Sequence, residues 1–262
     1  MASDPKLIKV SSTENPMWRS WKELLRHPAQ EFLVHGQRFT REMAKRHPDA
    51  LRALILREGA ELDMAGRDLF SKRFEQKITR VELTPALFAE LDPFGVPDMI
   101  GVFAAPELSP LVSNPKGLTN RELWLATQNP TNLGACLRSA TAFGIQRIVL
   151  LAEAASPFHA RAVRAAAGQV LNFEFSRGPS IDELASLPPD MINDLIALDL
   201  HGVSMQDFKW PQNFRLLIGE EGQGIPAKLP AQRLHIPMSN GLESLNAAVS
   251  CGIALYASRF SR

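Results

Sequence analysis

The sequence predicts an α/β protein of two modules, a small mixed domain followed by a larger one built on a parallel sheet. Three observations lead there. Beyond residue 120, near-continuous apolar runs alternate with helical patterns, as parallel strands covered on both faces require. Before residue 106 the apolar runs are shorter and interleaved with helices. Between the two, Pro106, Pro110, Pro115 and Gly117 fall within twelve residues, the composition of a linker. The expected division is 1–106, a linker at 107–120, and 121–262.

The elements follow in order. Asn15-Pro16 opens a helix, with Asn as N-cap and Pro at the first helical position, and Trp18, Trp21, Leu24 and Leu25 at core-facing spacing. Short apolar runs at 32–34, 54–56 and 100–103 supply strands of the first module. In the second module the strands are expected at 123–126, 148–151, 195–198, 214–218 and 234–237, in a domain of ordinary size.

Composition bounds the function. The 262 residues, 45% apolar and 22% charged, exclude a disordered or low-complexity chain and can bury a core in each module. Two cysteines, Cys136 and Cys251, exclude a disulfide scaffold and a four-cysteine metal site. No run approaches 18 apolar residues, and the opening MASDPKLIKVSS carries no apolar signal-peptide core, so a soluble cytoplasmic protein without a membrane partner is expected. The net charge of +1 hides an asymmetry. Residues 1–80 hold 16 Lys/Arg against 11 Asp/Glu, and the remainder holds 13 against 17, so the first stretch suits a polyanion better than the average suggests.

Ligands of open parallel sheets bind beyond the carboxyl ends of the strands, which directs attention to the loops there. Three segments stand out. Asn129-Pro130-Thr131-Asn132 begins a helix that carries Arg138. Gly219-Glu220-Glu221-Gly222-Gln223-Gly224 lets backbone approach a ligand closely. Ile236-Pro237-Met238 leads through Ser244-Leu245-Asn246 into an apolar helix. Taken singly, Asn132 is equally a helix N-cap, Arg138 a surface guanidinium, the glycines a turn, and Ser244 and Asn246 local backbone acceptors. Their joint occurrence after strands of one sheet is the signal. His201 reads as a loop residue. The chain lacks G-x-G-x-x-G, the P-loop, G-x-S-x-G and any His/Cys ligand spacing, so no metal is expected.

At these segments the sequence resembles the SpoU (TrmH-like) family of RNA ribose 2′-O-methyltransferases, of the SPOUT class. The matching motifs, in order, are N-x-G-x-x-x-R at Asn132–Arg138, G-x-E-G-x-G at Gly219–Gly224, and I-P-M…S-L-N from Ile236 to Asn246. Ser11-Ser12-Thr13-Glu14-Asn15-Pro16 and Phe32-Leu33-Val34-His35-Gly36-Gln37-Arg38 resemble the substrate-binding domain, related to ribosomal protein L30e, that often precedes the catalytic one. His35-Gly36 stands where that domain commonly has Glu-Gly.

The resemblance implies a C-terminal SPOUT domain with a deep trefoil knot and a homodimer in which Arg138 of one subunit serves the other's site. It implies S-adenosylmethionine as cofactor, with contacts at Leu198, Gly219, Ile236, Met238 and Leu245, and RNA, ribosomal or transfer, as partner. Arg138 is the central catalytic residue, Asn132 orients it or the ribose, Glu221 pairs with it, and Ser244 and Asn246 fix the motif loops and substrate. Two other readings stand beside this one: a non-catalytic RNA-binding protein that kept the knot, and a nucleotide-dependent oxidoreductase disfavoured by the missing glycine fingerprint.

Overall fold

The computed structural model describes residues 7–62, 64, 78–96, 98–112, 118, 120–219, 224–239 and 244–260. The strands are β1 (Leu7–Val10), β2 (Glu31–His35), β3 (Leu51–Arg57), β4 (Thr79–Leu83), β5 (Met99–Ala104), β6 (Ser109–Pro110), β7 (Glu122–Leu125), β8 (Arg147–Leu150), β9 (Glu174–Arg177), β10 (Leu195–Ser204), β11 (Arg215–Ile218) and β12 (Gln232–His235). The helices are α1 (Pro16–Leu24), α2 (Gln37–Arg46), α3 (Pro85–Leu91), α4 (Pro130–Phe143), α5 (Ala160–Ala165), α6 (Pro189–Ile192) and α7 (Ala247–Phe260). They form two compact units, Met1–Pro106 with Phe158–Leu171, and Glu107–Pro157 with Asn172–Arg262.

The first unit is a five-stranded mixed sheet in the order β1-β4-β3-β5-β2. Strands β1, β4 and β3 are parallel, and β5 runs antiparallel to both β3 and β2. Asn15 caps α1, its Oδ1 accepting from the Met17 and Trp18 amides at 3.0 and 3.4 Å. Trp18 and Trp21 then bury into a core with Leu33, Ile55, Val81 and Phe88. The pattern does not signal β1 and β4, because Lys9, Arg80 and Glu82 interrupt their apolar residues. Pairing resolves the exposed charges: Lys9 meets Glu82 at 2.9 Å. His35 is 5% exposed, its Nε2 donating to the Leu91 carbonyl at 2.9 Å and its ring edge-on to Phe94. Burial pushes its pKa below the usual histidine range, so it packs as a neutral side chain.

The stretch Phe158–Leu171 belongs to this unit although it lies late in the chain. Phe158 stacks on Phe32 with ring centroids 5.1 Å apart, and Phe32 on Phe103 at 6.0 Å. Arg164 of α5 lies over the Phe94 ring at 4.6 Å, and Arg46 donates to Gln169 at 2.8 Å.

The second unit is a seven-stranded sheet, parallel throughout, in the order β12-β10-β11-β7-β8-β9-β6. All five expected strands are present. Two more complete the edge: β9, where Phe175 is the one fully buried side chain, and β6, two residues from the stretch that reads as linker. Pro110 is tolerated there because an edge strand need not donate on its outer side. Linker residues 113–117 and 119 lie outside the described residues. At the amino ends of the strands, buried Glu122 accepts from Trp124 Nε1 at 3.0 Å and faces Arg215 Nε at 3.4 Å and Arg147 Nη1 at 3.6 Å. That pairing is what lets a carboxylate sit beneath the sheet.

Phe32 has no exposed surface and receives the late segment, so Phe32→Ala should cost about 3–5 kcal/mol of stability. Denaturant unfolding reads that loss, and limited proteolysis should show new cleavage within Phe158–Leu171.

Candidate active site

The parallel sheet delivers its following loops to one edge, and register shows which meet. Ala197 of β10 pairs with Leu217 of β11 on one side and with Arg233 of β12 on the other. Gly219 and Ile236 therefore follow the ends of β11 and β12, and Leu198 stands between them where β10 begins its bulge. Leu198, Ile236, Met238 and Leu245 are all half-buried, leaving apolar surface available. At Gly219 an added Cβ would meet Ile225 Cγ1 at 2.9 Å, so only glycine lets Ile225 fold back over this strand end. Here the site offers backbone rather than side chain.

The first and third segments meet directly. Asn246 is the N-cap of α7, its Oδ1 accepting from the Ala248 and Val249 amides at 3.0 and 3.3 Å. Its Nδ2 donates to Asn132 Oδ1 at 3.1 Å. One side chain thus starts α7 and ties it to the first turn of α4. Asn132 is not the cap of α4. That role belongs to Asn129, whose Oδ1 accepts from the Thr131 and Asn132 amides at 2.9 and 3.4 Å, with Pro130 at the first helical position. Asn132 is therefore released from capping and faces Asn246.

The pairing continues along both helices. Cys136 and Cys251 are fully buried, and Ser139 Oγ lies 3.4 Å from where a Cβ at Gly252 would stand. The hydrogen bond with Cys136, together with burial, pushes the Cys251 thiol well above its ordinary pKa, so Cys251 stays protonated.

Arg138 is not brought to this pair. Six residues beyond Asn132, it lies about 240° around the helix and about 9 Å along it, and it is exposed. Ser244 is exposed next to half-buried Leu245, immediately before Asn246. Glu221, with the rest of 220–223, lies outside the described residues. Among the described residues no group of His, Cys, Asp or Glu could hold a metal ion, and no helix is long and apolar enough to cross a membrane.

Residues 123–256 match the model of the SpoU rRNA methylase family. The chain belongs to that family. It is 32% identical over 256 residues to a protein of Syntrophobacter fumaroxidans named ribosomal RNA small subunit methyltransferase G 2. That match covers 95% of this chain and 48% of the relative, so the chain spans about half of that relative's length. It is 27% identical over 263 residues to the Bacillus subtilis 23S rRNA (guanosine(2553)-2′-O)-methyltransferase RlmP, covering 95% of this chain and 98% of the other. Among solved structures, the SpoU methyltransferase AviRb from Streptomyces viridochromogenes, in complex with the cofactor AdoMet, is similar with a TM-score of 0.72 at 26% identity. That likeness covers 94% of this chain and 97% of AviRb.

Motif reading passes over Asp199, Gly202 and Arg233, which the structure places at this edge. Between Leu198 and Val203, both level with Leu234, β10 bulges outward. At Gly202 an added Cβ would lie 2.3 Å from the Arg233 carbonyl oxygen, so the bulge admits only glycine. Asp199 opens the bulge and pairs with Arg233. His201 lies within it, exposed, its amide donating to Asp199 Oδ1 at 3.1 Å. A Gly four residues past an expected strand end, and a lone Arg immediately before an expected strand, were the available signals.

Removing the cap at Asn246 should be measurable by calorimetry. Asn246→Ala is expected to lose about 1 kcal/mol and to lower the melting temperature by about 2–4 °C. Asn246→Asp keeps the cap but replaces the amide that donates to Asn132 with a carboxylate, so it should recover only part of that loss.

Proposed function

We propose that this chain transfers a methyl group from S-adenosylmethionine to a ribose 2′-hydroxyl of structured RNA, ribosomal RNA before transfer RNA. The observation that carries the reading is the Asn246–Asn132 hydrogen bond, which joins two motif segments at the ligand-binding edge of the sheet. The apolar, half-buried Leu198, Ile236, Met238 and Leu245, with the half-buried backbone of Gly219 among them, fit a nucleoside held largely through main-chain groups. The relatives' names support ribosomal RNA as substrate and the 2′-oxygen as acceptor.

The bound cofactor supplies an electrophilic methyl on a sulfonium sulfur. The protein's part is orientation and electrostatics. Asn132 and Asn246 hold the starts of α4 and α7 in fixed register and offer amide groups to the ribose. Arg138 holds an RNA phosphate and stabilises the alkoxide that forms as the 2′-hydroxyl loses its proton. A guanidinium with a pKa above about 12 is no base, so the proton passes to a phosphate oxygen of the RNA. The second and third segments thread as the family's knot. This reading is supported by β12 lying beyond β10 while α7 returns to α4.

The working form is a homodimer. Val249, Ile253, Tyr256 and Phe260 are exposed at 51, 37, 58 and 61% and recur every three to four residues, an apolar stripe along α7. A second copy on that stripe gives Arg138, turned away from its own Asn132, a site to serve. RNA phosphates are met by the first unit, where α2 presents exposed Arg38, Lys45 and Arg46 and α5 adds exposed Arg161 and Arg164. The free thiols of Cys136 and Cys251 suit a reducing cytoplasm.

Calorimetry with S-adenosylmethionine, followed by transfer of labelled methyl to ribosomal and transfer RNA, tests the function. Binding and transfer are expected, with Arg138→Ala cutting transfer at least about a hundredfold and Arg138→Lys also poor, because a point charge cannot copy the fork. RNA binding without cofactor binding would instead identify a non-catalytic protein. For the dimer, Ile253→Asp with Tyr256→Glu should give a monomer by light scattering that binds cofactor but transfers poorly; an unchanged dimer would contradict the interface.

A further inference from the structure

We infer that Arg233, paired with Asp199, is a positioning residue that holds Ile225 and Pro226 beside the end of β11 and so shapes the cofactor pocket. The inference rests on the methyltransferase reading given above. The side chains of Arg233 and Asp199 are 22 and 16% exposed. Arg233 Nη1 donates to Asp199 Oδ2 and lies 3.4 Å from the Ile225 carbonyl, while Nη2 donates to the Pro226 carbonyl at 2.7 Å. One guanidinium therefore ties together the bulge after Leu198 and the loop that follows Gly224.

The backbone completes the tie. The Arg233 carbonyl oxygen backs onto Gly202 at the far end of the bulge, and Gly202 O is 3.0 Å from His235 Nδ1. Ile225, the residue whose carbonyl faces Arg233, is the one packed over Gly219. Residues Leu198, Gly219 and Ile236 are thus set by segments that converge on a single arginine. A planar fork suits this task, since it meets a carboxylate and two carbonyls at fixed angles. Asp199 balances the charge, so the pair stays partly buried without an uncompensated ion.

Arg233 is not among the reacting groups, and its loss falls on binding. Ile225 and Pro226 released from their anchor must be ordered when the cofactor arrives, which weakens affinity and leaves the methyl-transfer step alone once the site is filled. The role belongs to positioning, and a split between binding and turnover is its signature.

The test uses the full chain as wild type, Arg233→Met, Arg233→Lys and Asp199→Asn. Three quantities are read: the calorimetric Kd for S-adenosylmethionine, KM and kcat for cofactor and RNA, and amide exchange at Ile225 in the unliganded protein. Arg233→Met should raise Kd and KM for the cofactor about tenfold, with kcat and the KM for RNA within about twofold and faster exchange at Ile225. Arg233→Lys should fall between, and Asp199→Asn should follow the Met variant. Unchanged cofactor affinity, or a fall in kcat with affinity intact, overturns the assignment. If Arg233→Met does not fold, Asp199→Asn decides by the same criteria. A wild type that binds no cofactor overturns the methyltransferase reading instead, and exchange at Ile225 still decides the clamp, since unchanged exchange overturns it.

Discussion

Seven strands running the same way impose one constraint on everything else in the second unit: every loop that follows a strand emerges at one edge. Segments as distant in sequence as Asn132, Gly219 and Asn246 share that edge because β7, β11 and β12 end there. The opposite edge has a different task. Glu122, Arg147 and Arg215 compensate one another at the strand beginnings, a network that keeps buried charge neutral. Chemistry and charge compensation are thus separated by the length of a strand.

What the sheet brings near, helix α7 locks. Its first turn is capped by the side chain that also reaches Asn132, and its length is packed against α4 through fully buried Cys136 and Cys251 and through the close approach at Gly252. A shift of α7 along α4 would break the cap-linked hydrogen bond and open the cysteine contact together. The register between the two helices is set at both polar and apolar levels, the kind of agreement that gives a site one geometry.

Much of this was legible beforehand, for identifiable reasons. The strands of the second unit are buried on both faces, so their apolar runs stand out, and β7 and β11 lie close to where the pattern puts them. The Asn15-Pro16 start of α1 was readable because capping is local chemistry. Asn129-Pro130 carries the same signal, and applied there it assigns the cap of α4 to Asn129 and leaves Asn132 for the site. Tertiary dependence hid the rest. Strands β1 and β4 carry charges that only pairing explains, Phe158–Leu171 joins a unit whose other residues lie before 107, and Arg233 matters through carbonyl groups that no motif encodes. His35 shows the converse: a departure at a family motif position proves to be a buried packing residue.

The central claim is that the carboxyl edge of this sheet methylates a ribose in RNA. Mapping 2′-O-methylation across ribosomal and transfer RNA, in cells with and without this chain, tests it most directly. The account predicts that one or a few riboses lose their methyl group without the chain and regain it with the wild type but not with Arg138→Ala. A methylation map identical in the presence and absence of the chain would contradict it.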